Sequence, residues 1–274
     1  MKRLDYYYPS LGGSWLLVAL LIGGSLVFGL ALGVLQMIVK SPILGSTTVS
    51  YLCSMVVPML FIWLMATRGR NEGAAAVAVN RPDFGQLKGF PTFALAALAM
   101  LALTVVIDPI TSLMPMPEPI KSLFEKIFLQ TKLADTVIAT CILAPLLEEL
   151  LCRGMIQRGI ARTHSPRAAI LWSAFIFALI HLNPWQAIPA FVLGLLFGWV
   201  YYRTGCLWLT IFLHCLNNSL STLLSRLIPG MAIDTGFTDI MSTENYIALY
   251  IAAVALLAGA VWLLNKYLPK PEAR

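Results

Sequence analysis

The sequence predicts an all-α fold, a polytopic helical bundle embedded in a membrane with both termini cytoplasmic, and three observations carry that prediction. First, 59% of the 274 residues are hydrophobic and only 12% are charged, with a mean hydropathy of +0.80; this leaves too little polar surface to cover a soluble globule of that size. Second, the apolar residues gather in runs of about 20, the length at which a helix crosses a hydrocarbon core of ~30 Å. Third, the basic residues are distributed unevenly between the connections.

Eight spans are expected, and together they form a single membrane domain over residues 1–274. The first, Gly12 to Val39, is too long for a signal h-region and lacks a small-residue cleavage pattern, so it reads as a retained span that directs insertion. Thr47 to Ala66 and Phe90 to Met114 follow, built of Leu, Val, Ala and Gly, with Asp108 the only acid inside them. The fourth, Ala134 to Met155, carries Glu148, Glu149 and Arg153. The fifth, Ala168 to Leu182, is short and stops at Asn183-Pro184, because proline ends or kinks a helix. Trp185 to Tyr202, Leu207 to Ile228 and Tyr246 to Leu264 complete the set. Residues 1–130 read as scaffold and 134–228 as the functional core, since spans four, five and seven hold the strongly polar side chains other than Asp108.

With eight spans the termini share a side, and 14 of the 19 Lys and Arg residues fall on it. The remaining five, Lys40, Lys121, Lys126, Lys132 and Arg226, lie opposite, together with the acids Glu118, Glu125, Asp234, Asp239 and Glu244. This is a positive-inside bias that makes the basic side cytoplasmic. The formal net charge of +6 is therefore topology and contact with anionic lipid heads, and no basic-aromatic motif points to nucleic acid. The inner stretch Gly73 to Lys88 and the outer stretch Pro119 to Lys132 are amphipathic. The latter sets Ile120, Leu123, Phe124, Ile127, Phe128 and Leu129 against Lys121, Glu125, Lys126 and Lys132. Either stretch can lie at the interface or pack as a linker helix. The cysteines, Cys53, Cys141, Cys152, Cys206 and Cys215, form no CxxC pair, so neither a disulfide framework nor a thiolate metal site is expected. Short loops without sorting signals point to a bacterial plasma membrane.

Two adjacent carboxylates inside a span need a reason, because burying each costs roughly 3 kcal/mol on insertion scales. Helical geometry places Glu149 and Arg153 on one face and turns Glu148 away. Glu149 and Arg153 can then offset each other's burial as an ion pair, leaving Glu148 to face a polar cavity as a general base. The structural alternative is that both acids pair with Arg153 or with other helices.

Three further polar groups are embedded. His181 and His214 lie in spans five and seven, and Asn218 follows His214 by one turn, so that imidazole and amide share a face and can donate hydrogen bonds to an oxyanion. A self-satisfying His-Asn pair is the bland alternative, and Asn217 is a weaker candidate for the same role. Counted from Arg158, Arg167 and Arg203 at about 1.5 Å per residue, Glu148, His181 and His214 reach similar depths, roughly 15 to 21 Å. Phe177, one turn before His181, is expected to pack behind the imidazole and set its angle. His181 is then placed to share the activation of a water with Glu148.

Glu148-Glu149-x-x-x-Arg153, Phe177-x-x-x-His181 and His214-x-x-x-Asn218, in this order and all embedded, resemble the three signature motifs of the CAAX prenyl protease and bacteriocin-processing family of intramembrane endopeptidases. The stretch Tyr201 to Asn218 is also similar to that family's approach to its last motif. The resemblance implies a helical bundle with a conical cavity that cuts membrane-held peptides or lipidated proteins near their C-termini. It implies that Glu148 and His181 activate the water, that His214 and Asn218 form the oxyanion hole, and that Glu149 and Arg153 support them. No cofactor is favoured. Zinc held by Glu148, His181 and His214 is the alternative, although no HExxH is present. Two other classes stay open: a non-catalytic immunity or scaffold protein that binds a peptide in the same cavity, and an ion-coupled transporter.

Overall fold

In a computed structural model the chain is described at residues 2–128, 131–227 and 235–270. Leu129, Ile228, Asp234 and Arg274, and the side chains of Ile127 and Phe128, lie outside the described residues. The described chain is helical, and six of its helices are long and apolar enough to cross a membrane. They are α1 (Leu11–Val39), α2 (Thr47–Asn71), α3 (Gly89–Thr111), α7 (Pro184–Thr204), α8 (Leu207–Leu227) and α10 (Thr243–Tyr267). Between them stand α4 (Glu118–Phe128), the rod α5 (133–160), α6 (Pro166–Leu179) and the single turn α9 (Phe237–Ile240).

Two expected spans take other forms. The fourth is a continuous rod whose backbone alternates between α-helix and the wider i→i+5 helix, at Val137–Leu143 and again at Leu150–Gln157. The fifth is a helix of 14 residues, about 21 Å long and too short to cross alone. It ends where Leu182 adopts a left-handed φ of 56°, ahead of Asn183, whose side chain accepts from Gln186 N and starts α7.

Of the two amphipathic stretches, the outer one forms α4, whereas the inner one is an extended strap with a single turn at Gly85–Leu87. The strap spends its backbone groups on other elements and so has no need of helical partners. Val77 N donates to Asp5 O and Val79 N to Asp5 Oδ1, both at 2.8 Å. Arg81 N and Asp83 N donate to the carbonyls of Gly205 and Thr204. The buried guanidinium of Arg158 donates to the carbonyls of Val77, Leu4 and Tyr7. The N-terminal segment, the strap and α5 are thereby joined at one end of the bundle.

The interior divides into two apolar cores. One is built on α1, α2, α5 and α6 around Leu17, Ile62, Leu151, Ile156 and Phe177. The other is built on α3, α7, α8 and α10 around Met100, Phe197, Leu209 and Leu264. Much of the outer apolar surface is uncovered, with Leu30 and Ile38 each 74% exposed on α1. Such a surface is stable against hydrocarbon and not against water; the chain is an integral membrane protein.

Where the two cores meet, α5 and α7 come close enough for side chains to reach backbone. Arg153 Nη2 donates to Gly194 O at 3.0 Å, and one turn later Gln157 Nε2 donates to Gly198 O at 2.7 Å. Gly194 and Gly198, a small-xxx-small pair, permit this approach. A Cβ at Gly198 would stand 2.8 Å from Gln157 Oε1.

Candidate active site

The backbone of α5 changes register before it presents the carboxylates. Ala144 N donates to Ala139 O, five residues back. The next donor in that register would belong to residue 145, which is proline and has no N–H. The carbonyl left over is that of Thr140, and Asn218 Nδ2 of α8 donates to it at 2.8 Å. Asn218 Oδ1 accepts from Asn217 Nδ2 at 3.2 Å. One of the two amide N–H bonds of Asn218 is therefore committed to the backbone of α5, and the other is left for a ligand. The expected pairing of Asn218 with His214 into one donor face is thus shared with a structural duty that sequence spacing does not reveal.

Glu149 and Arg153 form the expected pair. Arg153 Nη1 lies 2.8 Å from Glu149 Oε1, and both side chains are 0% exposed. The same oxygen lies 3.1 Å from His214 Nδ1, so Glu149 joins α5 to α8 as well as neutralising Arg153. The guanidinium sits 4.5 Å from the ring centroid of Phe177 and 5.6 Å from that of Phe197, a desolvated setting in which cation–π attraction is strong. This arrangement satisfies most of a buried cation, which explains how Arg153 is tolerated at full burial.

Phe177 does more than seat His181. Its ring makes edge contacts with both His181 and His214, each at 5.2 Å between centroids, while Arg153 covers a face. One aromatic ring thereby sets the positions of both imidazoles. His181 Nδ1 lies 2.7 Å from Phe177 O. A carbonyl only accepts, so Nδ1 carries the proton and Nε2 of the neutral ring presents a lone pair. The same reasoning places a proton on His214 Nδ1, which faces a carboxylate.

Glu148 points away from this cluster, as the spacing predicts. Tyr51 of α2 donates to its Oε1 at 3.1 Å. Its Oε2 is buried and has no hydrogen-bond partner. Glu148 lines a cavity of about 180 Å³ with Leu21, Ile22, Ser25, Tyr51, Ser54 and Met55, and with Ile180 and Leu182 at the α6–α7 turn; His181, His214 and Asn218 are not in its lining. His181 lies between those two turn residues in sequence, but no hydrogen bond joins it to Glu148 among the described residues. Tyr51 escaped the sequence reading because a tyrosine in an apolar span carries no spacing signal toward an acid 97 residues away.

Among the described residues no three His, Cys, Asp or Glu side chains converge as a ligand set. Glu148 Oε1 bonds Tyr51, His181 Nδ1 the Phe177 carbonyl and His214 Nδ1 Glu149.

Residues 130–220 match a family model described as Rce1-like, a type II CAAX prenyl endopeptidase. The matched segment contains Glu148, Glu149, Arg153, Phe177, His181, His214 and Asn218, and excludes Tyr51. No curated protein and no solved structure matches the chain.

Proposed function

We propose, from the match of residues 130–220 to the Rce1-like, type II CAAX prenyl endopeptidase family model, that the protein hydrolyses a peptide bond of a membrane-held peptide or lipidated protein. The observation that carries this reading is Glu148 itself, a residue that lines a cavity and whose buried Oε2 has no hydrogen-bond partner. A carboxylate oxygen without a donor is costly where it is, and it is the group a water molecule needs as its base.

In the proposed reaction Glu148 takes a proton from water as the water oxygen bonds to the scissile carbonyl carbon. His181 accepts a hydrogen bond from the same water through Nε2. The carbonyl oxygen becomes an oxyanion, and His214 Nε2, when the ring holds both protons, and the uncommitted N–H of Asn218 donate to it. The C–N bond then breaks, the electron pair leaves on nitrogen, and Glu148 returns its proton to that amine. Glu149, Arg153 and Phe177 hold the two imidazoles. Water activated by carboxylate and imidazole suffices for this chemistry, and no step runs through a metal. We place the protein in a bacterial plasma membrane, in keeping with its charge asymmetry and short loops.

The test is cleavage by purified protein, in nanodiscs, of a farnesylated peptide and an unlipidated one of the same sequence. Cleavage of either, lost in Glu148→Gln, supports the reading. Cleavage that survives unchanged in Glu148→Gln overturns it.

A further inference from the structure

We propose that Tyr51 is a positioning residue for this reaction, its hydroxyl holding one oxygen of Glu148 and so fixing the plane of the carboxylate. The proposal rests on the reading of Glu148 as the base and deepens it. Tyr51 supplies the one hydrogen bond made to Glu148 among the described residues, at 3.1 Å to Oε1. The terminal torsion of a glutamate side chain is broad, so without a fixed donor the carboxylate plane would swing about that torsion and align a lone pair with the water only part of the time. A single hydroxyl donor at 3.1 Å favours the orientation of the plane that keeps Oε1 on Tyr51.

The placement of Tyr51 is itself braced by the catalytic rod. Asp135, near the start of α5, accepts from the backbone N–H of Thr47 at 2.7 Å and of Thr48 at 3.0 Å. Ser46 accepts from Val49 N. Together they satisfy three of the otherwise unpaired donors at the start of α2, with two of the three bonds made by α5. Tyr51 lies one turn beyond Thr47, and Glu148 lies further along the same rod that carries Asp135. Rod and helix are thereby locked in one mutual register, and Tyr51 meets Glu148 as a consequence. Ser25 and Ser54 of the same cavity donate to the carbonyls of Leu21 and Tyr51, so they do not compete for the carboxylate.

The inference assigns a working part to a helix outside the segment that carries the three motifs. Tyr51→Phe removes the hydroxyl and keeps the ring. We expect kcat to fall about tenfold, as for one hydrogen bond to a charged group, with KM within about twofold because substrate is held elsewhere. Glu148→Asp retracts the carboxylate by one methylene, so in that background Tyr51→Phe should cost less than about twofold, a non-additivity that marks a direct coupling. Each variant is first checked for a cooperative melt and a single elution peak.

An unchanged kcat in folded Tyr51→Phe overturns the proposal, as does the same fractional loss in both backgrounds. A merely structural role would lower folded yield or raise KM without the non-additivity. If Glu148→Gln is inactive while Tyr51→Phe behaves as wild type, the positioning role alone fails. If Glu148→Gln remains fully active, the reading of the whole site fails.

Discussion

Glu149 Oε1 lies 3.1 Å from His214 Nδ1, and this single contact ties the first motif to the last across two helices. Because Arg153 uses the same oxygen, the carboxylate is a hinge pin for an imidazole and a counter-ion at once.

From that double duty follows a difference between neighbouring residues. Glu149→Gln leaves the Arg153 guanidinium buried without its counter-charge, and breaking such a pair costs about 3–5 kcal/mol. Folded yield and thermal midpoint should both drop, with activity. Unfolding in detergent, followed by tryptophan fluorescence, measures the loss; a wild-type melt for Glu149→Gln would contradict it.

Glu148→Gln should behave in the opposite way. Its Oε2 has no partner to lose, and the amide oxygen can still accept from Tyr51. The melt should stay within about 1 kcal/mol of wild type, the scale of a tolerated substitution. Peptide cleavage should fall by about 10² to 10⁴, the span of general acid–base catalysis. Initial rates by mass spectrometry give the answer.

Asn218 is expected to show two separable effects. Asn218→Ala orphans the Thr140 carbonyl, at about 1–3 kcal/mol, and removes an oxyanion donor. Pro145→Ala restores a backbone N–H to the rod, so stability lost in Asn218→Ala should be partly regained in the double variant while activity is not. Equal recovery of both would show that Asn218 serves the backbone alone.

Gly198→Leu should drive α5 from α7. Its Cβ would stand 2.8 Å from Gln157 Oε1, and overpacking of this kind costs about 1–3 kcal/mol. Since Arg153 bonds Gly194 one turn away, cleavage should suffer with stability. A wild-type melt would mean that the helices separate freely.

A strong chelator should leave the initial rate within about twofold, because no three His, Cys, Asp or Glu side chains converge as a ligand set among the described residues. Loss of activity on chelation that zinc alone restores would refute the metal-free reading of the site.

What could be read along the chain was whatever a helix makes local. The all-α membrane character follows from apolar runs. The Glu149–Arg153 pair and the opposed direction of Glu148 follow from four-residue and one-residue spacings, which a rigid helical repeat converts directly into shared or separate faces. The seat of His181 on Phe177 follows from the same repeat. The strap at 74–88 was not legible as such, because its pattern resembles an amphipathic helix while its donors are claimed by Asp5, Thr204 and Gly205 from elsewhere in the chain.

Sequence by itself therefore determined the fold class, the residues of the cluster and their division between two faces of one rod. Tertiary structure alone decided who meets across helices: Glu149 with His214, Asn218 with Thr140, and Tyr51 with Glu148. The physical reason is that such contacts depend on the rotation, depth and closeness of separate helices. These are set here by the missing N–H of Pro145, the glycine seam on α7 and the Asp135 cap on α2, none of which has a fixed spacing to the residues it positions.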